Sequence, residues 1–116
     1  MRVTFDETEA GVICCLIGNL EHLSVAQFRD AVAHLRDARR VIFELAAVPF
    51  VDSAGLGALI GGIRRTRELG GDVAVACDRP TLVRLLRTTG FDRIVTVAET
   101  VDEAIAALSK DLDPEV

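Results

Sequence analysis

The sequence predicts an α/β layer fold: a single domain with a mixed, mostly parallel β-sheet and α-helices packed against it. Three observations carry this. Short continuous apolar runs of strand length alternate with segments whose apolar residues recur at the helical period. The alternation repeats along the chain, which favours parallel strands joined by helical crossovers. The chain has 116 residues, half of them hydrophobic, enough for one core and too few for a second domain.

Residues 3–5 (Val-Thr-Phe) read as a short edge strand, and Gly11 marks a turn after the acidic stretch Asp6 to Glu9. Residues 12–17 (Val-Ile-Cys-Cys-Leu-Ile) form an unbroken apolar run, so a strand buried on both faces is expected, ended by Gly18-Asn19. These two opening strands are expected to pair antiparallel. The first helix is expected to begin at Ser24, whose spacing to Gln27 is that of a capping box. Val25, Phe28, Val32 and Leu35 then share one face, while Arg29, Asp30, Arg36 and Asp37 fall elsewhere.

Residues 41–45 (Val-Ile-Phe-Glu-Leu) read as a second buried strand, with Pro49 interrupting the ladder. A second helix is expected from about Ala54 to Leu69, stopped by Gly70-Gly71. Residues 73–77 (Val-Ala-Val-Ala-Cys) make another apolar strand. Asp78 is expected to cap the next helix, with Pro80 in its first turn, Leu82, Leu85 and Leu86 on its apolar face and Gly90 at its end. Residues 94–97 read as the last strand, and Thr100 with Glu103 repeats the capping-box spacing before a closing helix. The domain is expected to span residues 1–110, leaving 111–116 as a short acidic tail.

Composition narrows the function. The formal net charge is −5, and such a mean field repels a phosphate backbone, so no direct nucleic-acid partner is expected. No apolar stretch is long enough for a bilayer, and Met1 to Glu7 carries no apolar signal region, so no membrane association is expected. The three cysteines, Cys14, Cys15 and Cys77, are odd in number and include no CxxC pair. They suit a reducing, cytoplasmic setting and read as small apolar filling, with a redox role as the rival reading. His22 and His34 pair with no evident nucleophile and are assigned to the surface. No Lys follows the glycines at 55–62, the only Lys being Lys110, so no phosphate-binding loop is expected; with no CxxC pair either, no cofactor and no metal are expected.

The informative stretch is Val48-Pro-Phe-Val-Asp-Ser-Ala-Gly-Leu-Gly57, which joins the central strand to the second helix. In open α/β sheets, sites gather at the carboxyl ends of strands. Leu56, Leu59, Ile60 and Ile63 point to the core; Ala54, Gly57, Ala58, Gly61, Arg65 and Glu68 lie opposite. Each interior glycine costs about 0.5–1 kcal/mol against alanine, so Gly57, Gly61 and Gly62 together give up ~2 kcal/mol. Two readings follow: a smooth face kept for another protein, or close packing inside the domain. Ser53 likewise has two: a plain helix N-cap, or a phosphorylation site. Phosphate there would add about −1.5 to −2 charges beside free N–H groups and the positive helix end, so the domain would stay folded.

Phe50-Val-Asp-Ser-Ala-Gly-Leu-Gly57 resembles the phosphorylation segment of bacterial anti-sigma factor antagonists, members of the STAS domain family. Gly18-Asn-Leu-Glu21 is similar to that family's Gly-Glu-Leu-Asp turn, Val41-Ile-Phe-Glu-Leu45 to its central strand, and Thr88-Thr-Gly-Phe-Asp-Arg93 to its Thr-Gly-Leu-Asp-Arg segment. The resemblance implies a STAS-like single domain, not an enzyme itself, that switches partners. It would bind an anti-sigma factor of the serine-kinase type and free a sigma factor, until the kinase phosphorylates Ser53 and a serine phosphatase restores it. The contact surface expected from the motif and the smooth helix face together is the Asp52–Ser53 turn, the smooth face of the second helix and the Gly18–Leu23 turn, with Glu21, Asp52, Ser53, Ala54, Gly55, Gly57, Gly61 and Arg65 as its residues. The sequence departs from the family pattern at Asn19, Glu21, Glu44 and Ala54, the last leaving Ser53 as the one hydroxyl acceptor of the segment. Two other readings rank lower: a STAS accessory subunit of a transporter or signalling complex, and an aspartyl-phosphate receiver domain built on Asp52. The receiver reading needs a metal-binding acidic pair and a Lys near the last strand, and Asp6-Glu7 and Lys110 are poorly placed for either.

Overall fold

The apolar runs become a five-stranded sheet in the computed structural model, which describes residues 1–111. The strands are β1 (Arg2–Thr8), β2 (Gly11–Ile17), β3 (Arg40–Ala47), β4 (Asp72–Ala76) and β5 (Thr96–Ala98). The helices are α1 (Val25–Ala33), α2 (Ser53–Glu68), α3 (Pro80–Thr88) and α4 (Val101–Asp111). Spatial order follows chain order, β1 to β5, with β1 antiparallel to β2 and every later pair parallel. This is the mixed, mostly parallel sheet that the alternation of runs predicts. Beyond Asp111, the expected acidic tail lies outside the described residues.

Alternation along the strands divides the core in two. Val41, Phe43 and Leu45 of β3 and Val73 and Val75 of β4 pack with Phe28, Leu59, Ile63, Leu82 and Leu86 of α1 to α3. Phe28 and Phe43 meet with ring centroids 5.7 Å apart. Ile42, Ala74 and Ala76 face the other way, against Ala104 and Leu108 of α4. Among the described residues only α4 covers that side, so β2 is not buried on both faces as its apolar run suggests. Cys14 and Leu16 are buried, while Ile13, Cys15 and Ile17 are half-covered.

Several element ends differ from expectation, each for a local reason. β1 has seven residues rather than three, because its ladder to β2 continues from Arg2–Ile17 to Thr8–Gly11. Asp6 and Glu7 are exposed there, so their charges cost the strand nothing. Ser24 does not make a capping box. Its hydroxyl accepts from Glu21 N (3.0 Å) and donates to Asn19 O (2.8 Å), holding the turn that precedes α1. Gln27 instead donates to Met1 O. Arg79, not Asp78, is the cap residue of α3, since Pro80 occupies the first helical position. A 3-10 turn at Phe91–Arg93 precedes the expected last strand, and Ile94 N and Val95 N bond back to Phe91 O, so pairing covers Thr96–Ala98 instead of 94–97. Half of the second capping box forms: Thr100 Oγ1 accepts from Glu103 N (3.1 Å), while Glu103 Oε2 accepts from Glu99 N (3.2 Å), one residue before the cap.

All three cysteines are free. Burial pushes the Cys14 thiol up to about 12, and burial also raises Cys77 and, with Glu44 beside it, Cys15. A raised thiol pKa disfavours the reactive thiolate, which supports the reading of these cysteines as apolar filling. Among the described residues, no helix is long and apolar enough to cross a membrane.

Candidate functional site

Two turns meet at the carboxyl end of the sheet, as backbone hydrogen bonding requires. The chain leaves β2 through Gly18-Asn19-Leu20-Glu21-His22-Leu23 and leaves β3 through Val48 to Asp52. Leu20 N donates to Phe50 O (3.0 Å), Asp52 N donates to Leu20 O (3.3 Å), and Leu20 and Val51 form an isolated parallel bridge. Leu20 and Val51 are themselves buried, so this junction is part of the core rather than a loose pair of loops. Gly55 presses against it: a Cβ at that position would lie 1.9 Å from Leu20 O. The expectation that Gly55 meets a partner is therefore corrected; it is buried, and its missing side chain is what lets α2 start so close to the neighbouring turn.

Asp52 is the staple between the two turns. Its Oδ1 accepts from Gly55 N (2.7 Å), capping α2, and its Oδ2 accepts from His22 N (3.1 Å). The His22 imidazole Nδ1 lies 3.5 Å from the same Oδ2. The Gly55 N–H holds the Asp52 carboxyl below the usual carboxylate range, against a smaller opposing effect of desolvation and with help from the His22 N–H and imidazole. Both oxygens are spent inside the domain. The receiver-domain reading needs that carboxylate free, and Asp6 and Glu7 sit on β1 opposite Ile13 and Val12, at the sheet edge.

The lowered pKa has a testable sign. A carboxyl whose folded pKa lies below its unfolded value of about 3.9 stabilises the fold fully above that value and loses the effect as pH falls through the folded pKa. Asp52→Asn keeps a capping oxygen and removes the titration. Its melting temperature is expected to decline less steeply than wild type below about pH 4. Thermal melts of the two proteins from acid to neutral pH check this; parallel profiles would remove Asp52 from the acid response.

With Asp52 as the cap, Ser53 is the first residue of the helix rather than its cap, and it is exposed. The plain capping reading of Ser53 is thus overturned: its hydroxyl is not needed by the helix. Ala54, Gly57, Gly61 and Arg65 are exposed along the same helix, and Cβ atoms at Gly57 and Gly61 would meet nothing within 4 Å. Gly62 is different, with Phe28 at 3.2 Å from its would-be Cβ, so there the close-packing reading holds. Ala58 is buried too, leaving the smooth strip narrower than helical periodicity suggests. The strip floors a groove of about 460 Å³ between α1 and α2, edged by Arg29, Arg65 and Glu68. Glu21 is half-buried, its N–H bonded to Ser24 Oγ, beside the junction.

Two features escape a reading by sequence pattern. His22 lies on the surface as expected, and its imidazole also contacts Asp52. Leu23 and Phe50, 80% and 52% exposed, stand on the two joined turns. Their one sequence signal is apolar character inside turn segments, outside any helical or strand period.

Comparison with known proteins agrees with this fold. The family described as "STAS domain" matches residues 3–104. The "Anti-sigma F factor antagonist" of Paenibacillus polymyxa is 25% identical over 111 residues, covering 93% of this chain and 95% of that protein. A crystal structure of an anti-sigma factor antagonist from Mycobacterium paratuberculosis superposes with a TM-score of 0.84, at 19% identity over 93% of each chain. The Bacillus cell fate determinant SpoIIAA in its phosphorylated form superposes with a TM-score of 0.67, at 23% identity over 92% of this chain and 99% of that one.

Proposed function

The chain belongs to the STAS domain family, and from that premise we propose that it is an anti-sigma factor antagonist acting in the cytoplasm. It binds an anti-sigma factor of the serine-kinase type, which frees a sigma factor, and phosphorylation of Ser53 ends the binding. The observation that carries this is Ser53 itself: exposed, at the first position of α2, and released from capping duty by Asp52. The names of the relatives support the partner, and a fold-mate solved in a phosphorylated form supports the chemistry.

The mechanism follows from charge and position. The kinase moves the terminal phosphoryl group of ATP to Ser53 Oγ, whose proton is lost, and ADP leaves. The new dianion sits among the outward N–H groups of the first turn, where the helix favours negative charge. The domain remains folded, while a docked protein must now desolvate about −1.5 to −2 charges or withdraw. A serine phosphatase hydrolyses the ester and restores the binding form. The domain is a substrate in this cycle and catalyses neither step.

The test is phosphorylation by recombinant serine-kinase anti-sigma factors of the host, read by intact mass. One added phosphate is expected on wild type and none on Ser53→Ala. Phosphate on the Ser53→Ala protein would move the acceptor to another residue, and phosphate on neither protein would favour a STAS role without phosphorylation; either result would defeat the proposal.

A further inference from the structure

We propose that Leu23 and Phe50 are the apolar anchors that hold the anti-sigma factor, and that the anti-sigma factor meets them with an apolar pocket whose rim is acidic. The inference deepens the docking reading above and rests on it.

Five large hydrophobics are exposed among the described residues: Phe5, Leu23, Phe50, Leu69 and Ile94. Phe5 packs its ring against His34, 6.2 Å away between centroids, Leu69 closes α2 at the end far from Ser53, and Ile94 follows the 3-10 turn. Single exposed apolar residues of this kind are ordinary. Leu23 and Phe50 differ because they stand on separate turns that the chain ties together. Leu20 N bonds Phe50 O, and His22 N, one residue before Leu23, bonds the Asp52 carboxylate. Ser53 follows directly on that carboxylate. Two apolar side chains on a fixed platform lose little freedom on docking, and burying each is worth about tenfold or more in affinity.

Charge specifies the rim. Among the described residues, the single acid–base side-chain contact within 4 Å is His22 with Asp52, so none of their carboxylates pairs with the Arg29 or Arg65 guanidinium, although Glu68 edges the same groove. Both edge the α1–α2 groove, whose floor at Gly57 and Gly61 has no side chain in the way. Ser53 and Arg65 are twelve positions apart on α2, about 18 Å along its axis, within the reach of one interface. Where it crosses the groove, an acidic rim is drawn to Arg29 and Arg65, and phosphate at Ser53 adds to the repulsion from Glu21 and Asp52. One partner chemistry thus accounts for both attachment and release.

The experiment titrates a recombinant kinase that binds wild type against Leu23→Ala, Phe50→Ala, the double variant and Arg65→Glu, with melting temperatures measured in parallel. Each alanine is expected to weaken binding about tenfold or more and the double variant further, with melting temperatures unchanged. Arg65→Glu is expected to weaken binding several-fold and to reduce its salt dependence. Double-variant binding equal to wild type, or tighter binding by Arg65→Glu, would overturn this inference while leaving the docking reading intact. A wild type bound by none of the host's kinases would defeat the docking reading and this inference together. Wild-type self-association that the double variant abolishes would assign the anchors to a second copy instead.

Discussion

Gly55→Ala is expected to lower the melting temperature by on the order of 10–20 °C, from a loss of more than ~3 kcal/mol. The would-be Cβ lies 1.9 Å from Leu20 O and 2.6 Å from Leu20 C, so the clash is with backbone, which cannot turn aside as a side chain can. Relief requires α2 to shift as a body or the Leu20 turn to leave Val51, and either movement opens the buried junction. Gly57→Ala and Gly61→Ala supply the control. Nothing lies within 4 Å of a Cβ at either position, so each is expected to raise stability by about 0.5–1 kcal/mol through helix propensity. Thermal melts of the three variants check this, and a Gly55→Ala protein as stable as wild type would mean that the junction is looser than its hydrogen bonds imply.

Ser53→Asp is expected to weaken binding of the anti-sigma factor by about 30-fold or more while moving the melting temperature by no more than a degree or two. The two halves of that result have different causes. Stability is spared because residue 53 is exposed and Asp52 already supplies the cap, so no contact of the fold is lost. A carboxylate in the first turn is also favoured by the helix by ~0.3–1 kcal/mol, offset in part by Asp52 next to it. Affinity suffers because a charge buried against a partner without a counter-charge costs about 2–5 kcal/mol. Calorimetric titration beside a thermal melt separates the effects. A large fall in melting temperature would make Ser53 a structural residue, and unchanged affinity would place the docking surface elsewhere.

Much of this protein could be read from its residues in order. The runs at 12–17, 41–45 and 73–77 marked β2, β3 and β4, because an unbroken apolar stretch of strand length has few other places to go. The helical period at Val25, Phe28 and Val32 marked α1 for the same reason. Ends were harder, since each depends on one hydrogen bond. Ser24 and Asp78 both have capping chemistry, but Ser24 serves its own turn and Pro80 displaces the cap of α3 to Arg79. At the site, the motif around Ser53 identified the family and the exposed residue, while the division of labour between Asp52 and Ser53 was not legible. Both have good capping side chains, and only the backbone angles at residue 52 select between them.

The residues alone determined the layer fold, the family and the exposed hydroxyl, because periodicity and a contiguous motif are local properties of a chain. Tertiary structure decided which glycines are packed and which are open. Gly55 and Gly57 are two residues apart and identical in chemistry, yet one faces the carbonyl of Leu20 and the other faces nothing. It also brought Leu23 and Phe50 onto one platform from positions 27 apart in sequence. The physical reason is the same for both: what a side chain, or its absence, is worth depends on the atoms opposite it, and those come from elsewhere in the chain.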